Sequence, residues 1–183
     1  MTRYDAEEAL LHHYAERPDY GSPLDSHSPA KIAGQVGVEE LRGPILDVGC
    51  GDGRLAAALP GIQVVGIDYC AERIAKASAR GLVFAKFILG DAWDLPGEDQ
   101  TGTYPTIFAV EVLEHLARPR RMVALLRRLL APGGVLIATV PRAMPYEAHL
   151  QVFATVEQVH DQLEPQAVSE AFRQHWVLRW GPL

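Results

Sequence analysis

An acidic residue and a glycine-rich turn stand together near position 50. The segment 45–53 reads ILDVGCGDG, so a short apolar run carries Asp47 and then breaks into three alternate glycines. Glycine accepts positive φ and has no Cβ, which lets the backbone N–H groups of such a turn approach a nucleotide-like ligand. A second apolar run, 63–67, ends at Asp68, where a βαβ unit would place a ribose-binding carboxylate. These residues predict a site for a nucleoside cofactor.

The residues around the turn narrow the choice of cofactor. Arg54 stands where the dinucleotide fingerprint has its third glycine, which disfavours NAD and an NAD-dependent oxidoreductase. Asp47 suits a ligand with an ammonium group better than a pyrophosphate. Asp91 follows a third apolar run and can accept a hydrogen bond from the exocyclic adenine amine, while Trp93 can supply an aromatic face. An ammonium, a ribose and an adenine in this order describe S-adenosylmethionine.

Each residue also has a plainer interpretation. Asp68 alone would be a strand-end acid or a helix cap, Asp91 a turn cap, and Trp93 a core residue. Cys50 fills a small buried position, and its thiol is given no chemical role. The joint occurrence of the acids and the glycines favours the cofactor site.

Alternating apolar and amphipathic segments must position these residues. Apolar runs at 45–48, 63–67, 86–89, 106–110 and 134–140 predict strands buried on both faces, and helical patterns fall at 53–59, 71–80, 119–130 and 155–163. The segment 131–134, APGG, predicts a turn between the helix 119–130 and the next strand. The alternation predicts an α/β fold, a doubly wound, mostly parallel sheet with helices on both faces. Such sheets bind ligands at the carboxyl ends of their strands.

The composition is that of a globular protein. Of the 183 residues, 48% are hydrophobic and 22% charged, which suits one domain with a sizeable core. The net charge of −6 disfavours nucleic acid and anionic membranes as partners. Two cysteines without metal-type spacing, and the lack of a signal segment or a membrane-spanning run, predict a soluble cytoplasmic protein.

Five segments occur in the order and spacing of a known family. They are ILDVGCGDG (45–53), VVGIDYC (64–70), GDAWDLP (90–96), FAVEVLEHLARP (108–119) and LRRLLAPGGVLIATVP (126–141). With them the chain resembles the class I S-adenosylmethionine-dependent methyltransferases, and most of all the small-molecule enzymes of the ubiquinone-biosynthesis type. The resemblance implies a Rossmann-like sheet, methyltransferase activity, S-adenosylmethionine as cofactor and S-adenosylhomocysteine as product.

The resemblance also implies roles for individual residues. Asp47 and the glycine turn would hold the methionine part, Asp68 the ribose, and Asp91 with its two successors the adenine. Glu111, at the end of the fourth strand, would lie beside the cofactor and the acceptor. The predicted cofactor-binding residues are Asp47, Gly49, Cys50, Gly51, Gly53, Asp68, Tyr69, Asp91, Ala92, Trp93 and Glu111.

His115 is the predicted candidate for a general base, with Glu111 beside it. Methyl transfer from a sulfonium is an in-line displacement in which the enzyme aligns the acceptor and, for a hydroxyl or ammonium acceptor, removes a proton. A dedicated base is therefore optional. His115 follows the fourth strand and has a pKa in the useful range. The alternative is a histidine that caps or orients the loop.

The same segment admits a metal site. Glu111, Glu114 and His115 have i, i+3, i+4 spacing, so a helical turn would gather them on one face, and His149 would complete a set of metal ligands. This pattern resembles the magnesium or manganese site of small-RNA 2′-O-methyltransferases. No metal is favoured, because matching ligand types without a coordination geometry prove little.

Two segments outside the resemblance, the N-terminal segment and the loop 141–153, are expected to reach the acceptor. Residues 1–43 are predicted to form an N-terminal helical lid, and residues 44–183 the methyltransferase core. The acceptor-side candidates are His12, His13, Tyr14, Tyr20, Arg142, Met144, Tyr146 and His149.

The C-terminus departs from the family pattern. Members of the family finish with two antiparallel strands, whereas after Phe172 only 176–180 predicts a strand. The expectation is an abbreviated hairpin, or an edge that a second subunit completes. Trp176 and Trp180 would lie on one face of the strand and cover this edge or form a homodimer contact.

The sequence thus predicts a methyltransferase that acts on a small molecule, with transfer to oxygen slightly favoured. Two alternatives remain, a metal-assisted RNA 2′-O-methyltransferase and a non-catalytic adenosylmethionine-binding or interaction module.

Overall fold

The computed structural model describes residues 41–95, 101–144, 149–171 and 175–181. The predicted lid lies almost entirely outside these residues, and so do His12, His13, Tyr14, Tyr20 and Tyr146. The described part contains no helix that is both long and apolar enough to cross a membrane.

A seven-stranded mixed sheet forms the centre of the described residues. Its strands are β1 (Ile45–Val48), β2 (Val64–Asp68), β3 (Ala85–Leu89), β4 (Tyr104–Val110), β5 (Leu130–Pro141), β6 (Ala167–Ala171) and β7 (His175–Trp180), in the order β3-β2-β1-β4-β5-β7-β6. The first five strands are parallel, and β7 runs antiparallel to both β5 and β6. The order reverses at β1, so a crevice forms at the carboxyl ends of β1 and β4.

Four helices connect the described strands. They are α1 (Arg54–Ala57), α2 (Ala71–Ala79), α3 (Pro119–Leu129) and α4 (Val156–Leu163), with 3-10 turns at Ala92–Asp94 and Leu113–His115. Proline at the first position suits the start of α3, where its missing N–H costs nothing. Thr155 and Gln158 form a capping box at the start of α4.

The core lies on both faces of the sheet. Leu46 and Val48 point into the cluster that contains the apolar side chains of α3 and α4. Ile45, one position earlier, points into the second cluster, with Leu55 of α1. Because successive strand residues face opposite sides, burial of the whole of β1 requires cover on both faces. The predicted doubly wound α/β fold is confirmed.

The predicted turn at 131–134 is wrong in detail. Helix α3 ends at Leu129 and β5 begins at Leu130, so the APGG segment is part of the strand. The pairing of β4 with β5 shifts register between Tyr104 and Thr106, and Gly133 takes a φ of 71°. The proline and the glycines thus make an irregularity within the strand.

The expectation of an abbreviated C-terminal hairpin is also wrong. Strand β6 pairs with β7 over five residues, from Ala167 to Ala171, and completes the antiparallel hairpin. Its sequence, AVSEA, mixes small, polar and charged residues, as an edge strand does, and this hides it from an apolar-run search.

Trp176 and Trp180 do not cover an open edge. They are 5% and 1% exposed, and their indole N–H groups donate to backbone carbonyls, that of Trp176 to Phe153 and that of Trp180 to Leu163 and Glu164. Both tryptophans are therefore buried within their own chain and are not available for a contact with a second subunit. A homodimer through another surface stays a prediction.

Candidate functional site

The glycine turn leaves β1 at the crevice. Gly49, Gly51 and Gly53 have φ values of 70°, 53° and 77°, all in the left-handed region that favours glycine. The backbone N–H groups of Gly49 and Cys50 donate to the carbonyl of Ile67, which ties the turn to β2. The predicted use of glycine for its conformational freedom is confirmed.

Two of these glycines are also required by packing. A Cβ added at Gly49 would lie 2.5 Å from Val112 Cγ2, and one added at Gly53 would lie 2.8 Å from Phe87 Cζ. For a Cβ added at Gly51, the nearest atom would be Nη1 of Arg73, at 3.5 Å. The two outer glycines therefore seat the turn against its neighbours, and Gly51 is the one of the three at which an added Cβ would meet no close contact.

Asp68 holds the turn in place. One of its carboxylate oxygens accepts the N–H of Gly51 and the other accepts the N–H of Cys70, each at 2.9 Å. Burial raises the pKa of this carboxyl, although the two backbone hydrogen bonds act in the opposite direction. A carboxylate oxygen has two lone pairs, so each can accept a further hydrogen bond from a ribose hydroxyl.

One carboxylate oxygen of Asp47 is buried and makes no hydrogen bond within the described residues. The residue is 2% exposed, and its Oδ2 has no hydrogen-bond partner among the described residues. Burial, helped by the charge of Asp68, raises its pKa to about 8. A buried, unsatisfied carboxylate is costly unless a cation or donor arrives. An ammonium group at this end of the turn would satisfy it, so the site fits the amino-acid part of adenosylmethionine.

The predicted adenine residues lie at the end of β3. Asp91 is exposed, and its Oδ1 accepts the N–H of Trp93 at 2.9 Å, so it does cap the 3-10 turn. Trp93 is half-buried and packs against the main core cluster. Both plainer interpretations thus apply. The cap uses one oxygen of this exposed carboxylate, and the other oxygen can still accept a hydrogen bond from a ligand.

Two further predicted cofactor-binding residues, Tyr69 and Cys50, follow Asp68 and Asp47 in the chain. Tyr69 is 39% exposed beside Asp68. Cys50 is buried, and burial raises the pKa of its thiol, which suits a packing residue and not a nucleophile. A Cβ at Gly66 would lie 2.8 Å from Cys50 Sγ, so this cysteine occupies the space over Gly66 of β2.

Glu111 follows β4 with an unusual backbone. Its φ is 56°, a value that residues with a side chain seldom adopt. Its Oε1 accepts the hydroxyl of Thr139 at 2.7 Å, and its Oε2 lies 3.3 Å from His175 Nε2. Neither Thr139 nor His175 was predicted from the sequence. The available signal for Thr139 was a single polar side chain in the apolar strand β5, whereas β7 carries Arg179 as well as His175 and gave no such signal.

The four predicted metal ligands do not form one cluster. The left-handed backbone of Glu111 precedes the 3-10 turn Leu113–His115, and its carboxylate is turned toward β5 and β7, so no single helical turn gathers the set. Among the described residues, Glu114, His115 and His149 offer ligand atoms that all lie within 4.8 Å of one another. The expectation that Glu111 shares one helical face with them is wrong.

Glu114 is fully buried, and neither carboxylate oxygen has a hydrogen-bond partner among the described residues. Burial and the charge of Glu111 hold its pKa well above the usual range. His115 Nε2 lies 3.8 Å from Glu114 Oε1, and the His115 and His149 rings meet edge-on with centroids 5.0 Å apart. Nδ1 of His149 lies 2.9 Å from the Met144 carbonyl.

Arg142 does not face the crevice freely. Its Nη1 pairs with Glu170 Oε1 at 3.0 Å, and its guanidinium lies 4.9 Å from the ring centroid of Trp176. Both partners belong to the C-terminal hairpin, so Arg142 joins the end of β5 to β6 and β7.

Known proteins resemble this chain in sequence and in fold. A family model described as a methyltransferase domain matches residues 46–138, half of the chain. A ubiquinone biosynthesis O-methyltransferase from Xanthomonas oryzae pv. oryzae is 31% identical over 143 residues, and a trans-aconitate 2-methyltransferase from Deinococcus radiodurans is 30% identical over 140. These matches cover 75% and 74% of this chain, which spans 59% and 52% of the two relatives.

Solved structures show the same fold at lower identity. The structure of DhpI in complex with SAH superposes with a TM-score of 0.76 at 22% identity, covering 100% of both chains. A 1,6-didemethyltoxoflavin-N1-methyltransferase from Burkholderia thailandensis superposes with a TM-score of 0.77 at 15% identity, covering 98% of this chain and 89% of that one. The family match covers β1 through most of β5, together with the glycine turn and the acids after it. The chain therefore belongs to the methyltransferase-domain family.

Proposed function

We propose that this chain is an S-adenosylmethionine-dependent methyltransferase that acts on a small molecule, with an oxygen as the favoured acceptor atom. The observation that carries the proposal is the buried Asp47 oxygen that has no hydrogen-bond partner within the described part of the chain, set at the start of a glycine turn with three left-handed residues. This arrangement suits a ligand that carries an ammonium group on a nucleoside.

The cofactor-binding residues divide among the parts of the ligand. Asp47 and the backbone of Gly49–Gly53 hold the methionine part, and Asp68 with Tyr69 holds the ribose. Asp91 and the Ala92–Trp93 backbone hold the adenine. Support comes from the position of all these residues at the carboxyl ends of β1, β2 and β3, where open α/β sheets bind their ligands.

The chain needs to supply little covalent chemistry. Adenosylmethionine supplies an electrophilic methyl group on a positively charged sulfur. The residues of the chain align the acceptor and take up its proton where the acceptor is a hydroxyl. Glu111 and His115 follow β4, next to the glycine turn, and are the proposed proton-handling residues.

Oxygen is proposed as the acceptor atom because relatives that share 31% identity are named O-methyltransferases. Residues 1–43 are proposed to cover the bound cofactor as a lid, and Met144 and His149 to border the acceptor. The nucleic-acid alternative is disfavoured by the net charge of −6.

A metal-assisted form of the reaction has one specific observation in its favour. Glu114, His115 and His149 lie together, and the carboxylate of Glu114 is buried without a hydrogen-bond partner among the described residues. Activity that falls in a chelator and returns with added Mg²⁺ or Mn²⁺ would support this form. Activity that is unchanged in the chelator would remove it.

Calorimetric titration and a turnover assay test the proposal together. The full chain is titrated with adenosylmethionine and with NAD, and is then assayed for methyl transfer to a panel of phenols, catechols, carboxylic acids and amines. We expect adenosylmethionine to bind, NAD not to bind, and turnover with an oxygen acceptor. Binding without turnover on the whole panel would favour a non-catalytic binding module, and binding of NAD alone would contradict the cofactor assignment.

A further inference from the structure

The C-terminal hairpin reaches the crevice through one histidine. His175 begins β7 and is 6% exposed. Its Nε2 lies 3.3 Å from Oε2 of Glu111, the residue that follows β4. Since β7 pairs with β5 and not with β4, this side-chain contact crosses an intervening strand.

Strand β5 contacts the other carboxylate oxygen of Glu111. Thr139 Oγ1 donates to Glu111 Oε1 at 2.7 Å, and the backbone N–H of Glu111 donates to the Thr139 carbonyl at 3.1 Å. Strand β5 therefore contacts one carboxylate oxygen of Glu111 and its backbone N–H, and β7, the next strand but one, contacts the other oxygen.

These contacts explain how Glu111 keeps a left-handed backbone. A φ of 56° is unfavourable for a residue with a side chain, and it persists only where the surroundings impose it. Thr139 and His175 supply that restraint, because each fixes one oxygen of the Glu111 carboxylate.

The restraint passes to the glycine turn through the next residue. Val112 follows Glu111, and a Cβ on Gly49 would lie 2.5 Å from Val112 Cγ2. Val112 thus occupies the space that a side chain at Gly49 would need. A shift of the Glu111–Val112 backbone would move the surface on which the first glycine of the turn rests.

We propose that His175 is a positioning residue for the cofactor, which acts through Glu111 and Val112 to hold the glycine turn in the form that binds the amino-acid part of adenosylmethionine. The inference rests on the proposed assignment of Asp47 and the turn to that part of the ligand. It makes the C-terminal hairpin a component of the methyl-donor site.

Two ligands separate this role from a general effect on folding. S-adenosylhomocysteine contains the amino-acid part, whereas 5′-methylthioadenosine has the same nucleoside and thioether without it. We expect His175→Leu to weaken S-adenosylhomocysteine binding by about tenfold, the effect of one lost polar contact with a charged group, and to leave methylthioadenosine binding unchanged. His175→Gln, whose Nε2 can donate to Glu111 in place of the ring nitrogen, is expected to restore most of the affinity.

Calorimetry on the full chain measures both affinities for each variant. His160→Leu, at an exposed position of α4, is the matched control and should change neither. Thr139→Val keeps the shape and removes the hydroxyl that holds Glu111 Oε1. It should show the same selective loss, and it carries the test if His175→Leu does not fold.

Equal losses for both ligands in His175→Leu and Thr139→Val, or no loss for either, would overturn the inference. A Gln variant no better than the Leu variant would overturn it too. Asp47→Asn separates this failure from that of the proposed function. If Asp47→Asn loses S-adenosylhomocysteine selectively and His175→Leu does not, only the role of His175 is wrong. If Asp47→Asn shows no selective loss, the assignment of the turn is itself wrong.

Discussion

The carboxylate of Asp68 accepts the backbone N–H of Gly51 at 2.9 Å, so the end of β2 fastens the middle glycine of the turn. The other oxygen accepts the N–H of Cys70 and orients the start of α2. One side chain therefore shapes the turn, and each of its oxygens keeps a lone pair for a further hydrogen bond. Changes at Asp68 are therefore expected to affect both stability and binding.

Asp68→Ala is expected to lower the free energy of unfolding by roughly 3 kcal/mol, because two buried backbone N–H groups lose a charged acceptor. It should also weaken adenosylmethionine binding by about 100-fold, through loss of the ribose contacts and of the ordered turn. Urea denaturation and calorimetry measure the two effects. Asp161→Ala, at an exposed position of α4, serves as the control. Wild-type affinity in Asp68→Ala would contradict the ribose assignment.

Asp91→Ala is expected to weaken adenosylmethionine binding by about tenfold, since one hydrogen bond to the adenine amine and one cap bond are lost. Asp91→Asn keeps an oxygen for the cap and should recover part of the affinity. Asp94→Ala, in the same 3-10 turn and also exposed, provides a matched comparison. Equal affinities of the Asp91→Ala and Asp94→Ala variants would argue against adenine recognition by Asp91.

Asp47 is expected to make the ligand-free protein less stable as the pH rises. Its pKa is raised from 3.8 to about 8, so between these values the folded state keeps a proton that the unfolded state has released. The stabilisation is complete below about pH 4 and is lost progressively as the pH approaches 8. Asp47→Asn cannot ionise and should remove this part of the pH dependence, which we expect to be of the order of a few kcal/mol.

Urea denaturation of both proteins at several pH values between 4 and 9 measures the difference. Asp68, whose pKa is also raised, contributes a slope of the same sign in both proteins. The comparison therefore isolates Asp47. Parallel stability curves for the wild type and Asp47→Asn would show that Asp47 is ionised throughout this range.

Two glycine substitutions separate backbone strain from packing. Gly49 and Gly61 both have positive φ, at 70° and 83°. An added Cβ would collide with Val112 at Gly49, whereas it would meet nothing within 4 Å at Gly61. Gly61→Ala should therefore cost about 1 kcal/mol of stability from φ alone, and Gly49→Ala a further 1–3 kcal/mol, roughly, from the clash. Denaturation midpoints measure both, and equal costs would show that Val112 moves aside freely.

Much of the fold follows from local patterns. The predicted positions of β1 to β4 agree with the observed ones within one or two residues, because apolar runs mark all four. The predicted burial on both faces is wrong for β3, which lies at the edge of the sheet and has no fully buried residue. Strand β6 could not be found this way, because AVSEA has no apolar run and is ordered by its pairing with β7. The burial of Trp176 and Trp180 likewise depends on the segments 153–164, which supply the carbonyls that their indoles need.

The sequence by itself determined which residues stand at the ends of β1, β2 and β3. There the glycines, the acids and the strands that carry them are neighbours in the chain, so short-range geometry is enough to relate them. Only the tertiary structure decided what surrounds Glu111. Thr139 and His175 come to it from two other strands, through a strand order and register that no local pattern encodes. The same long-range pairing engages the Glu111 carboxylate with Thr139 and His175, so Glu111 does not join the group of Glu114, His115 and His149.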